Sequence, residues 1–162
     1  MDLATFEDLL RPEYRTAFRL AYAMLHDPSE AEDAVQEASF RAWRRIGNLR
    51  EGADFRPWFL AIVANQCRTV TRGRWWSLVR LPAPGDQLPD ASPDQTTAIH
   101  LRTELRRLRH DQQLLLVLRY YLDLPFDEIA ETLGISVKAA RSRTDRALAR
   151  LRGRLRHSEV LV

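Results

Sequence analysis

Three short stretches of this chain set polar or charged side chains on one helical face, at spacings that suit recognition of other macromolecules. In Phe126–Arg156, Ala130 is followed four positions later by Gly134, then by Ile135 and Ser136. That order specifies a helix, a turn that uses the conformational freedom of glycine, and a second helix capped by Ser136. Between Lys138 and Arg156 the second helix carries eight basic residues and one acid, Asp145. A helix in the DNA major groove offers its first residues to base edges and its later basic groups to phosphates. Val137, Lys138 and Arg141 are therefore candidate base readers, with Ser142 on the same outward side. Arg143, Arg146 and Arg150 are candidate phosphate clamps. The plainer alternative is a solvated basic helix within a bundle.

Asn65, Arg68, Thr69 and Arg72 recur at i, i+3, i+4 and i+7, and Trp75 and Trp76 follow them. Amide, hydroxyl and guanidinium groups in one stripe can contact phosphates and base edges, and an exposed indole can stack on an unpaired base. The preceding loop, Gly47 to Asp54, is polar and supple enough to form a pocket for a splayed base. The same residues also fit a merely wet stripe with both tryptophans packed on the bundle. Asp33, Gln36, Glu37 and Phe40 form a third stripe of the same spacing. Acids around an apolar anchor suit docking on a basic protein surface. Periodicity alone favours the other arrangement, a solvated acidic face with Phe40 tucked inward.

Catalytic chemistry finds little support. There is no Gly-rich phosphate loop, and His26, His100, His110 and His157 are scattered without ligand spacing. No enzyme activity and no metal or other cofactor are expected. Single Cys67 excludes an internal disulfide and suits a reducing compartment. The opening MDLATFEDLL is acidic where a secretion signal would be positive, and no apolar run approaches a membrane span. A soluble cytoplasmic protein without membrane insertion is expected.

The elements that carry these stripes are all helical, with no strand alternation anywhere. Four of the eight prolines, Pro82, Pro84, Pro89 and Pro93, fall in LPAPGDQLPDASP, which marks a semi-stiff linker at 77–95 between blocks 1–76 and 96–162. Before it, Phe6, Leu9, Leu10, Phe18, Ala21, Tyr22 and Leu25 recur at helical spacing, and Pro12 starts a second helical piece. The next helix opens on Ser29 and Glu32 in a capping-box pattern and buries Ala31, Ala34 or Val35, Ala38, Ala42 and Ile46. A third begins near the cap Asp54 and buries Phe55, Phe59, Ile62, Val63 and Val70. Four helices follow the linker: one with Ala98, Leu101, Leu105 and Leu108, one from Asp111 through Leu114, Leu118 and Tyr121, and the helix-turn-helix pair. The last buries Ala140, Thr144, Ala147, Leu148 and Leu151. Charge divides along the same line. Residues 1–75 hold 11 basic and 11 acidic groups, whereas residues 96–162 hold 13 basic and 8 acidic.

Taken in order, DPSEAEDAVQEASFRAW, FRPWFLAIVANQCRT, the Pro-rich linker and LRYYLDLPFDEIAETLGISVKAARSRTDRALARLR resemble the extracytoplasmic-function (ECF) sigma factors. These are the minimal two-domain members of the sigma-70 family. The likeness runs from about Phe6 to Leu155 and implies a factor that directs core RNA polymerase to promoter DNA. It implies that Asp33, Gln36, Glu37 and Phe40 dock on the clamp helices of the largest core subunit. The loop residues Asn48, Leu49, Arg50 and Asp54 would capture a flipped base of the −10 element. Asn65, Arg68, Thr69, Arg72, Trp75 and Trp76 would track that element, and Ser136, Val137, Lys138, Arg141, Ser142, Arg143 and Arg146 would read the −35 element. An anti-sigma factor is a further partner the resemblance implies. Ala139-Ala140-Arg141-Ser142-Arg143 departs from the Thr-Val-Lys-Ser-Arg run of many relatives but keeps its basic positions. Pro125 replaces a frequent Ser or Thr cap, and no C-terminal regulatory extension is expected. A stand-alone helix-turn-helix regulator with an N-terminal dimerisation or sensing bundle is the competing reading. It would require symmetric half-sites and tight DNA binding without polymerase.

Overall fold

The computed structural model describes residues 1–78 and 93–159, with side chains for 1–74 and 96–157. Within these the fold is all-α. Helices α1 (Leu3–Leu10), α2 (Tyr14–Leu25), α3 (Pro28–Arg45) and α4 (Phe55–Leu78) form the first block, with a 3₁₀ turn at Ile46–Asn48. Helices α5 (Pro93–Arg106), α6 (His110–Leu116), α7 (Phe126–Leu133) and α8 (Val137–Glu159) form the second. Most of the linker assigned from sequence to 77–95 lies outside the described residues; α4 continues to Leu78 and α5 begins at Pro93.

Local chemistry explains the boundaries. Pro12 sits in the turn that separates α1 from α2, two residues before Tyr14. The capping box expected at Ser29 and Glu32 does not form. Asp27 caps α3 instead, its carboxylate accepting from the Glu30 N–H at 2.8 Å. Pro28 occupies the first helical position, where a missing N–H costs nothing and its fixed φ already suits the helix. The continuous helix expected through Tyr121 also departs from expectation. After Leu116 the chain widens into a π turn, Val117–Tyr121, closed by Leu122 N–H to the Val117 carbonyl at 2.9 Å. This rotates Tyr121 out of the core stripe, leaving it 45% exposed. Tyr22, expected in the first apolar stripe, is likewise exposed and stacks on Phe18.

The two blocks share one apolar core. Phe59, Leu60 and Val63 of α4 and Leu20 and Leu25 of α2 are fully buried in the same cluster as Leu118 and Ile129 of the second block. Polar contacts follow the same seam. Arg56 Nε lies 2.9 Å from Glu128 and 3.4 Å from Glu13. Arg19 donates to the Tyr121 carbonyl at 3.0 Å and lies 4.9 Å over the ring of the same residue. A smaller core of Leu108, Leu116, Ala147 and Leu151 joins α5, α6 and α8. Glu104, only 3% exposed, seals it by pairing with Arg154 at 3.0 Å and Arg107 at 2.9 Å. A buried carboxylate is costly without partners, and two guanidiniums supply them.

His26 ends α2 in the left-handed conformation (φ 58°), its N–H closing on the Tyr22 carbonyl. Burial, reinforced by Arg106, Arg102 and Arg74, lowers its imidazole from 6.5 to about 4. The unfolded chain therefore takes up this proton first, and its contribution to stability is intact above pH 6.5 and shrinks as pH falls toward 4. Burial lowers His110 as well, with the same sign. A urea midpoint measured at pH 5 should be lower than at pH 7. His26→Asn, whose side chain tolerates the left-handed backbone, should reduce that difference. Truncating the shared core by Leu118→Ala should cost about 2–5 kcal/mol in a urea titration.

Candidate nucleic-acid interface

The acidic stripe of α3 is held outward by the helix's opposite face, where Ala31, Ala34, Val35, Ala38 and Ala42 are buried. Asp33 and Gln36 are exposed, Glu37 pairs with Arg41 at 2.8 Å, and Phe40 is 56% exposed. The inward alternative for Phe40 is therefore excluded. Arg44 lies 5.7 Å over its ring. A large exposed aromatic flanked by polar and acidic groups is the chemistry of a protein-docking anchor.

Beyond α3 the chain turns through Ile46–Asn48 and a loop to α4. Asn48, Arg50 and Asp54 are exposed, while Leu49 packs partly on the core and fixes the loop to the bundle. Gly52 adopts φ 79°, a left-handed conformation that glycine takes at no cost. The loop borders an open hollow of about 450 Å³ lined by Asn48, Leu49, Arg50, Asp54 and Trp58 on one side. Glu131 of α7 reaches the same hollow from the second block, a neighbour that no sequence pattern announces.

On α4, Asn65, Thr69 and Arg72 are exposed and Arg68 is half-buried, so the four share one outward stripe. Thr69 is partly occupied by its own helix, donating to the Asn65 carbonyl at 3.1 Å. Trp75 and Trp76 lie on the helical backbone of α4, but their side chains are outside those described. Cys67, on the opposite side, is fully buried, and burial pushes its thiol up to about 12, which makes it chemically inert. Close to the stripe, the positive charges of Arg68 and Arg72 act with burial to hold the His110 imidazole low.

The helix-turn-helix forms as its residues require. Gly134 (φ 65°) ends α7, and the Ile135 N–H returns to the Ala130 carbonyl at 3.0 Å. Ser136 caps α8 by accepting from the Ala139 N–H at 3.1 Å. Pro125 begins α7 with no side-chain cap, and Asp127 and Glu128 supply the negative charge that a helix start favours. Burial holds the Glu128 carboxyl above the usual range, against the pull of Arg56 and with the help of Glu13, Asp127 and Glu131. The buried side of α8 is Ala140, Thr144, Ala147 and Leu151. Val137, Lys138, Arg141, Ser142, Arg143 and Arg146 all remain exposed. Arg141 is more constrained than its exposure suggests, because its guanidinium lies 4.7 Å over the Phe126 ring. Arg119 lies 4.6 Å over that ring and donates to the Leu124 carbonyl at 3.0 Å.

The residues singled out in the sequence thus fall on three surfaces: the outer face of α3, the loop and stripe of α4, and the start of α8. Residues 9–77 match the family model for Sigma-70 region 2, and residues 100–151 match Sigma-70, region 4. The chain is similar to the RNA polymerase sigma-E factor of Streptomyces avermitilis, at 30% identity over 98% of this chain and 89% of the relative. It is 32% identical to the ECF RNA polymerase sigma factor SigM of Mycobacterium tuberculosis, over 93% of this chain and 76% of the relative. Its fold resembles that of the sigma factor RpoE from Bartonella quintana, crystallised with the anti-sigma factor NepR. That match has a TM-score of 0.70 at 20% identity and covers 95% of this chain and 98% of the other.

Proposed function

The chain belongs to the extracytoplasmic-function group of the sigma-70 family, and from that membership we propose how its residues divide the work of promoter-specific transcription initiation. Block 1–76 docks on core RNA polymerase through Asp33, Gln36, Glu37 and Phe40. The same block receives an unpaired base of the −10 element at Asn48, Leu49, Arg50 and Asp54 and follows the strand along Asn65, Arg68, Thr69 and Arg72. Block 96–162 reads the −35 duplex with the first turns of α8, and residues 77–95 span the distance between. The factor works in the cytoplasm and performs no chemistry itself; bond formation belongs to the polymerase.

The observation that carries this reading is the outward Phe40 amid acids on α3, which a solitary DNA-binding bundle would have no reason to expose. Charge supports it too. Phosphate contacts give affinity without sequence information, so a factor basic throughout would be titrated by bulk DNA. Here the excess is confined to the −35 reader, while the first 75 residues balance at 11 basic and 11 acidic groups. In this reading the protein alone binds duplex DNA weakly. Docking separates the two blocks, moves Glu131 away from the base-receiving hollow, and sets both readers at promoter spacing. Unstacking the captured base costs about a few kcal/mol, offset by loop contacts and polymerase binding together. An anti-sigma protein that clasps the closed arrangement would hold the factor inactive.

Glu37→Arg should abolish binding to sigma-free core polymerase while leaving the melting temperature nearly unchanged, since its exposed pair with Arg41 contributes little to stability. Wild-type affinity in that variant would reject the docking assignment. Arg141→Ala should cost about 1–3 kcal/mol of discrimination between matched and mismatched −35 elements, measured by competition binding of the holoenzyme.

A further inference from the structure

Asp145 is the one acid among the eight basic residues of Lys138–Arg156, and it stands on the face that α8 turns outward. It shares a shallow surface hollow with Val137, Lys138, Arg141, Ser142 and Arg146. At 1.5 Å per residue it lies roughly 12 Å along the helix from Val137, two turns in and still within reach of the groove floor. An acid four residues after an arginine on an exposed helix ordinarily pairs with it. Here that arginine is committed elsewhere, since Arg141 lies over Phe126 at 4.7 Å. Arg146, the next basic neighbour, donates through Nε to the Ser142 carbonyl at 3.3 Å. Among the described residues the Asp145 carboxylate has neither an ion pair nor a hydrogen bond.

From this arrangement we propose that Asp145 is a specificity-determining residue, accepting a hydrogen bond from the exocyclic amino group of a cytosine in the major groove of the upstream promoter element. The inference rests on α8 being the −35 reader. A free carboxylate at that surface repels phosphates and lowers affinity for every sequence alike. Only a base that offers a donor to it restores the loss, so the group raises discrimination rather than affinity. Cytosine fits best because it presents an amino donor there. Adenine places its N7 acceptor beside its amino group, which opposes a carboxylate and suits an amide. Phe126 is the positioning partner: by holding Arg141 it keeps the acid unpaired.

The test uses the full chain assembled with core polymerase and a promoter library randomised across the upstream element. Asp145 is exposed and belongs to neither apolar core, so its variants should fold normally. Asp145→Ala should lose about tenfold preference for a C·G pair at one position while binding unrelated DNA more tightly. Asp145→Asn should shift that position toward adenine. If Asp145→Ala raises affinity evenly and keeps every base preference, the residue is only a repulsive charge and the proposal fails. Arg141→Ala is measured in parallel. If it too leaves every upstream preference unchanged, α8 is not the reader, and the reading beneath the proposal falls with it.

Discussion

The apolar core at the seam between the blocks is the constraint on which the remaining geometry depends. Leu118 and Ile129 of the second block are fully buried in the cluster that also holds Phe59, Leu60 and Val63 of α4. Their burial sets α7 against α4, and that placement brings Glu128 to Arg56, Tyr121 to Arg19 and Glu131 to the loop after α3. The polar seam is a consequence of the apolar one. Arg56 stands between two carboxylates at partial exposure, where ion pairs contribute modestly and register more than strength is gained.

The charge pattern gives this closed form its meaning. The basic excess sits on α8, the acids of α3 face outward on the other block, and Glu131 of α7 borders the loop after α3. In the proposed reading, the free chain carries a DNA reader on α8, a protein dock on α3 and a carboxylate, Glu131, beside the hollow that receives the strand. On that proposal none of the three suffices alone for promoter recognition. Tying recognition to assembly follows from that division.

Much of this was legible in the sequence because helical period, caps and turn residues are local. The α8 stripe, the Ser136 cap and the Gly134 turn followed from neighbours within four residues, and the structure shows each of them. What the sequence hid was non-local or competitive. Ser29 and Asp27 both could cap α3, and Pro28 decided in favour of Asp27 because proline suits the first helical position. The π turn at Val117–Tyr121 arises where the chain must bury Val117 and Leu118 yet leave α6 for α7, and no residue type signals it. Glu104 is buried beside Arg154, fifty residues away in the chain, a pairing that no local pattern encodes. Periodicity favours a Phe40 tucked inward, because an apolar ring on a helix usually joins the core, yet it is 56% exposed. Asp145 was visible as a lone acid, but its lack of a partner depends on Arg141 resting on Phe126.

On this reading the chain gives a polymerase its promoter selectivity and does not act on DNA alone. Transcription reconstituted from sigma-free core polymerase, the purified chain and a pool of genomic DNA fragments measures that directly, with transcript 5′ ends as the readout. Start sites should appear only when both proteins are present, each preceded by the same pair of spaced elements. Unchanged transcripts on adding the chain, together with tight binding of the chain alone to a palindromic duplex, would contradict it.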